Sequence, residues 1–245
     1  MKYILNLAYD GSVYHGWQKQ ENAISVEETI ENAFFKLLGK NIEIIGCGRT
    51  DTGVHAKYYI AHFEYNLEID KEIVYKLNSI LPNDIAIYKC YKTNGNFHAR
   101  FDAISREYKY YIHFKKEPFL FNRSYYMNKE LNIELMNDAC KILLLNNDFI
   151  SFCKKGADNK TTICELMLAK WEIENNQIVF TIKADRFLRN MVRSIVGYMI
   201  NIGLDKITLN KFIEIIEQKK SNQTGFSAPA CGLYLTNVTY DFNNL

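Results

Sequence analysis

Gly46-Cys-Gly-Arg-Thr-Asp-Thr-Gly-Val-His-Ala56 decides how this chain folds back on itself. Three glycines, Arg49, Asp51 and His55 fall within eleven residues. A run of Ile and Glu, 41 to 45, leads into the stretch, and an apolar, aromatic run, 58 to 65, leaves it. Glycine at this density lets a backbone turn sharply or approach another chain segment closely. Two strand-like runs on either side make it the loop of a β-loop-β unit. An acid lying between Arg49 and His55 has cationic neighbours and is expected to be held as a carboxylate. It is a candidate nucleophile or base. Asp-Thr-Gly is equally a plain turn sequence, and local physics leaves both readings open.

Working outward, Lys2 to Tyr9 reads as a strand. Ser25 to Gly39 reads as a helix, with a Ser25/Glu28 capping box, an apolar stripe of Ile30, Phe34, Leu37 and Leu38, and a terminal glycine. Ile42 to Ile45 and Lys57 to Tyr65 flank the glycine-rich loop, Asp70 to Leu81 is a helix stopped by Pro82, and Ile85 to Tyr91 is a strand. That order is β-α-β-β-α-β. The second half repeats it without repeating the sequence. Arg106 to Phe114 is a strand and Asn132 to Leu145 a helix. Cys164 to Glu172 and Gln177 to Ala184 form a hairpin around Asn175-Asn176. Phe187 to Gly203 and Leu209 to Lys219 are helices, and Leu233 to Tyr240 is the last strand. The predicted fold is α+β: two ferredoxin-like halves, 1–100 and 101–245, joined through a mostly antiparallel extended sheet. Helices cover one face, and an active-site cleft is expected between the halves.

The Phe187–Gly203 segment carries a second chemical signal. Phe187, Leu188, Met191, Val192, Ile195, Val196 and Met199 make an apolar face, and Arg186, Arg189, Asn190 and Arg193 an opposite ridge. Arginines on one ridge bind phosphate or hold a carboxylate bidentately; a solvated helix face is the plainer alternative. Tyr9 to Gln20 mixes two glycines, a Trp, a His and cations, and suits either RNA contact or an ordered structural loop.

Composition narrows the class. The chain has 245 residues, 48% hydrophobic, which is enough for a sizeable core. Thirty basic against 28 acidic residues leave a net of +2, so any nucleic-acid surface must be local. The six cysteines, 47, 90, 140, 153, 164 and 231, form no C-x-x-C pair and no zinc-ligand spacing. They suit a reducing compartment. The first ten residues are too short and too alternating for a signal peptide, and no run approaches membrane-spanning length. The expectation is a soluble cytoplasmic protein without metal or membrane.

Eight motifs now coincide in order: Tyr9-Asp-Gly…Gly16-Trp-Gln18, Gly48 to Ala56, Leu77-Asn…Leu81-Pro…Asp84-Ile85, Phe97-His-Ala-Arg-Phe-Asp-Ala103, Arg106-Glu-Tyr-Lys-Tyr110, Asn147-Asp-Phe…Ser151-Phe152, Phe187-Leu-Arg-Asn-Met-Val-Arg193 and Ala228-Pro…Gly232-Leu-Tyr-Leu235. Together they make the chain resemble the TruA-type tRNA pseudouridine synthases along nearly its whole length. The chain departs from the family's pattern at Ser12 (commonly Thr), Thr52 (usually Ala) and Glu27 (Gln in the family). The resemblance implies a cofactor-free isomerase that converts uridine to pseudouridine at positions 38, 39 and 40 of the tRNA anticodon stem-loop, working as a homodimer. It implies that Asp51 is the essential carboxylate, that Arg193 pairs with it, and that Tyr108 stacks on the uracil and relays a proton. Leu233 is then an apolar floor under the base. Arg49 fills the vacated base stack or holds the adjacent phosphate. His55 binds RNA or makes a structural hydrogen bond within the loop. Arg186 and Arg189 line the RNA backbone.

Two other classes remain in view. An RNA-recognition module also has ferredoxin-like units, but no K/R-G-F/Y-G/A-F run is present, and Asp51 with Arg193 goes unexplained. A nucleoside hydrolase normally wants a second carboxylate or a metal; Asp10, Asp102 and Asp185 are candidates that no spacing singles out.

Overall fold

The computed structural model describes residues 1–93, 95–156, 160–221 and 226–241. The fold class is α+β, with a mixed, mostly antiparallel set of nine strands and five α-helices among the described residues. Two compact units emerge. The first comprises Met1–Ile104 and Tyr234–Leu245, the second Ser105–Leu233.

In the first unit the elements are β1 (Lys2–Tyr9), α1 (Val26–Leu38), β2 (Ile45–Gly46), β3 (His55–Glu64), α2 (Ile73–Ile80) and β4 (Ile85–Thr93). Strand β1 lies between β4 and β3, antiparallel to both, and β2 pairs with the far part of β3 through Ile45↔His62. Helix α1 begins where the capping box predicts: Ser25 Oγ accepts from Glu28 N at 3.2 Å, and Gly39 closes the helix with φ +66°. Ile30, Ala33 and Phe34 are buried, and Phe34 meets Phe63, which stacks on Tyr3. Strand β2 is shorter than the Ile42–Ile45 expectation. Ile42 and Ile44 are buried, but the Ile44 amide donates to Glu31 Oε1 at 3.2 Å instead of joining the ladder. Helix α2 starts three residues later than predicted because Asp70 Oδ1 takes the Glu72 amide in a turn. Asn78 then grips the β4 backbone, accepting from Ile87 N and donating to Ile87 O.

The second unit contains β5 (Ala103–His113), β6 (Tyr125–Tyr126), α3 (Ile133–Leu144), β7 (Leu166–Glu174), β8 (Gln177–Ala184), α4 (Met191–Gly203) and α5 (Leu209–Glu217). Strand β8 runs antiparallel to both β5 and β7, and β6 adds to β5 in parallel. The hairpin turn forms as predicted, with Asn175 and Asn176 both at positive φ. Asn137 on α3 grips Trp171 on β7 as Asn78 grips β4, so one device pins a helix to a strand in each unit. The core holds Trp171 stacked on Phe180 and an aromatic cluster of Phe152, Tyr198 and Phe212.

The helix predicted over Phe187–Gly203 is corrected here. It begins at Met191, because Asn190 sits at φ +64° in the left-handed region, which no α-helix can continue through. Arg186 and Arg189 therefore lie on the turn before α4 and share no helical ridge with Arg193. The helix itself is buried almost all round.

Strand β9 (Leu233–Tyr240) returns the chain to the first unit. It pairs in parallel with the start of β3 through His55↔Tyr234 and Ala56↔Leu235. Among the described residues no helix is long and apolar enough to cross a membrane.

One buried histidine links this packing to pH. His62 on β3 is 3% exposed, its Nδ1 accepts from Ala99 N at 3.1 Å, and the His98 ring is 4.8 Å away. Burial, helped by His98 and Lys2, pushes it down to about 4. A depressed histidine favours the folded state above the unfolded value of about 6.5 and loses that contribution as pH falls towards 4. Stability is therefore expected to drop by about 2 kcal/mol between pH 7 and pH 5 from this group. Urea unfolding at the two pH values checks it: His62→Leu should flatten that difference, and an unchanged slope would refute the assignment.

Candidate active site

The glycine-rich loop runs from β2 to β3, and the segment after β1 clasps it. Gly53 N donates to Tyr14 O (3.2 Å), Trp17 N to Thr50 O (3.3 Å) and Gly11 N to His55 Nδ1 (3.0 Å). The Tyr9 hydroxyl meets Thr50 Oγ1 at 2.8 Å. Two glycines make the approach possible. A Cβ on Gly11 would run into the Val54 carbonyl, and one on Gly46 into Tyr59 and the Trp17 ring. Beneath the loop Trp17 stacks on Tyr59 at 4.0 Å, with Tyr9 against both, and Tyr59 OH donates to Gly48 O at 2.5 Å. The loop that carries the acid is thus held from below by three aromatic rings and from the side by backbone hydrogen bonds.

Asp51 sits in the turn that its sequence allowed. Its carbonyl accepts from Val54 N at 3.1 Å, closing a tight turn with Gly53 at φ +76°. The residue is only half-buried, so the turn presents the acid at the unit's surface. Arg49, two residues earlier, is exposed, and its Nε donates to Gln18 Oε1 at 2.9 Å. His55 is 1% exposed and its ring stacks on Tyr234 at 4.4 Å. Its Nδ1 accepts from the Gly11 amide. Asp10 Oδ1 lies 3.1 Å from the same Nδ1. The Gly11–His55 bond ties the segment after β1 to the start of β3.

In the second unit Tyr108 lies on β5 opposite Ile182 of β8, half-buried, with its ring edge-on to Phe187 at 5.2 Å. Arg193 occupies the first turn of α4. Its Nε donates to Ala228 O at 2.8 Å, and its carbonyl accepts from Ala228 N at 3.0 Å. The neighbouring Pro229 O accepts from Tyr110 OH at 2.8 Å, and a Cβ on Gly232 would strike the Tyr110 ring. Residues 226–232 form a strap that orients Arg193 and delivers the buried Leu233. Sequence reasoning saw the Ala228-Pro and Gly232-Leu motifs without their part in this strap.

Comparison with known proteins bears on this arrangement. A family model described as tRNA pseudouridine synthase matches residues 139–241. A tRNA pseudouridine synthase A from Bacteroides fragilis is 47% identical over 98% of this chain and 96% of its own length. Those of Parabacteroides distasonis and Acetivibrio thermocellus are 45% and 40% identical, over 98% and 96% of this chain and 96% and 98% of theirs. The chain belongs to the tRNA pseudouridine synthase A family. The matched stretch, 98% of the chain, takes in both units.

Arg186 follows Asp185, whose Oδ1 accepts from both Arg186 N (2.7 Å) and Glu165 N (2.8 Å), while Asp185 O accepts from Arg106. Arg189 is exposed, and its carbonyl accepts from Lys154 N at 3.1 Å. Among the described residues no group of three or more His, Cys, Asp or Glu is arranged to hold a metal. Trp17, Tyr59 and Gln18 were not singled out from sequence. The signal for Trp17 and Gln18 is the Gly16-Trp-Gln18 motif, in a loop that suits either RNA contact or an ordered structural role; Tyr59 lies outside it.

Proposed function

We propose that this protein isomerises uridine to pseudouridine at positions 38, 39 and 40 of the tRNA anticodon stem-loop, without a cofactor. The observation that carries the reading is the Asp51 loop, built into a braced turn within a chain 47% identical to a tRNA pseudouridine synthase A over 98% of its length. In the reaction the C1′–N1 bond breaks and a C1′–C5 bond forms; N1 gains a proton and C5 loses one. Asp51 as a carboxylate drives the first step, by attack on C1′ or by stabilising the positive charge that leads to a glycal. Arg193 pairs with Asp51 and orients it. Tyr108 stacks on the uracil and passes the proton, and Leu233 supports the ring from below.

The target base has to leave its helix, at a cost of a few kcal/mol. Arg49 offsets that cost by filling the gap or holding the adjacent phosphate. His55 serves the RNA through the loop it braces. Arg186 and Arg189, from the turn before α4, meet the phosphates. Tolerance of three neighbouring uridines follows from reading RNA shape and backbone rather than base edges. The two units are read as ferredoxin-like halves of one sheet, and the working form as a cytoplasmic homodimer in which one tRNA touches both subunits.

The test is tritium release from unmodified tRNA labelled at uracil C5, without added metal or nucleotide. One tritium should be released per pseudouridine formed. No release at any anticodon stem-loop uridine would overturn the reading.

A further inference from the structure

We infer that Glu27 is a positioning residue for Arg49, acting through the side-chain amide of Gln18. Glu27 is 6% exposed at the second position of α1, where the helix dipole favours a carboxylate. Its Oε2 accepts from Gln18 Nε2 at 2.8 Å and from Lys19 N at 2.6 Å. At the other end of the Gln18 amide, Oε1 accepts from Arg49 Nε. The amide is thereby oriented from both sides: nitrogen to Glu27, oxygen to Arg49. Were it flipped, its NH2 would face the Arg49 N–H, donor against donor. The carboxylate therefore sets which end of Gln18 Arg49 meets, and with it the direction of a guanidinium two residues from Asp51. The same segment is steadied by Lys19 Nζ, 3.3 Å from Glu31 Oε2.

The residue type matters. Two donors converge on Oε2 of one buried group, and a carboxylate accepts there in either orientation, whereas a carboxamide accepts only with its oxygen turned to them. Burial pushes the Glu27 carboxyl up and Glu31 adds to this, while the Lys19 amide, Trp17 and Arg49 oppose it. A glutamine here meets both donors only in one of its two amide orientations; in the other its NH2 faces the Gln18 and Lys19 donors. Prior orientation saves the entropy of ordering a long side chain when RNA arrives.

The inference rests on Arg49 acting on the vacated base stack or its phosphate, and the test separates the two claims. Pseudouridine formation is measured in single turnover, with protein saturating, on two stem-loops. In one the target uridine is paired; in the other the opposing base is changed to leave it unpaired. Glu27→Gln and Gln18→Ala are each expected to slow the paired substrate about ten-fold. The unpaired one should slow about two-fold or less, because it flips cheaply. Glu27→Gln combined with Arg49→Ala should be no slower than Arg49→Ala alone. Equal loss on both substrates, or additive losses in the double variant, would overturn the inference. Gln18 is exposed, so Gln18→Ala carries the test if Glu27→Gln folds poorly. Wild-type inactivity on both stem-loops would instead overturn the proposed function, and full activity of Arg49→Ala on the paired one would overturn the role of Arg49.

Discussion

Asp51→Ala is expected to lower pseudouridine formation by at least about four orders of magnitude, the scale seen when a group acting directly on the reacting bond is removed. The expectation follows from chemistry. The C1′–N1 bond does not break at neutral pH unless developing charge at C1′ is captured or stabilised, and in the proposed reaction that task falls to this carboxylate alone. The loop should survive the change, because the turn closes through the Asp51 carbonyl and the Gly53 backbone, and the braces come from Gly11, Tyr14 and Trp17. Stem-loop binding should stay within about three-fold of wild type, since phosphate contacts supply most of the affinity for nucleic acid. Single-turnover tritium release and filter binding on the same preparation separate the two effects. Activity within ten-fold of wild type would sink the assignment of Asp51. Binding lost together with activity would mean that Asp51 shapes the RNA surface rather than the chemistry.

Trp17→Ala is expected to cost about 3–5 kcal/mol of stability, the range for deleting a large buried aromatic ring. Trp17 is 1% exposed, stacks on Tyr59, and lies so close to Gly46 that even a Cβ there would collide with it. Removing the ring leaves a void directly under the acid-bearing loop, and backbone hydrogen bonds above it fill no volume. Against a typical total of about 5–15 kcal/mol, the loss is large enough to move a urea midpoint far. Trp17→Phe should recover a good part of it by keeping a stacked ring. A measured loss below about 1 kcal/mol for Trp17→Ala would show that the aromatic floor does not support the loop.

What was legible beforehand was local. Ser25, Glu28 and Gly39 mark the two ends of α1 because capping and left-handed closure involve residues three or four apart. Asn175-Asn176 marks its hairpin for the same reason. The helix before Arg193 was misread because the apolar spacing continues through Phe187 and Leu188, while the break depends on one backbone angle at Asn190. That residue's side chain donates to Ser227 Oγ at 2.7 Å, a partner 37 positions away. Strand β2 shrank because Glu31, on a different element, captured the Ile44 amide.

By itself, the amino-acid sequence determined the alternation of elements, the glycines that permit a tight turn around Asp51, and the ordered motifs that carry the family. Tertiary structure alone decided what each polar group beside Asp51 faces. His55 is a buried acceptor for Gly11, 44 residues away, and Arg49 is steered by Gln18, 31 residues away. The physical reason is that periodicity and capping act over one or two turns of chain. A hydrogen bond between distant segments exists only after the sheet has brought those segments to bonding distance.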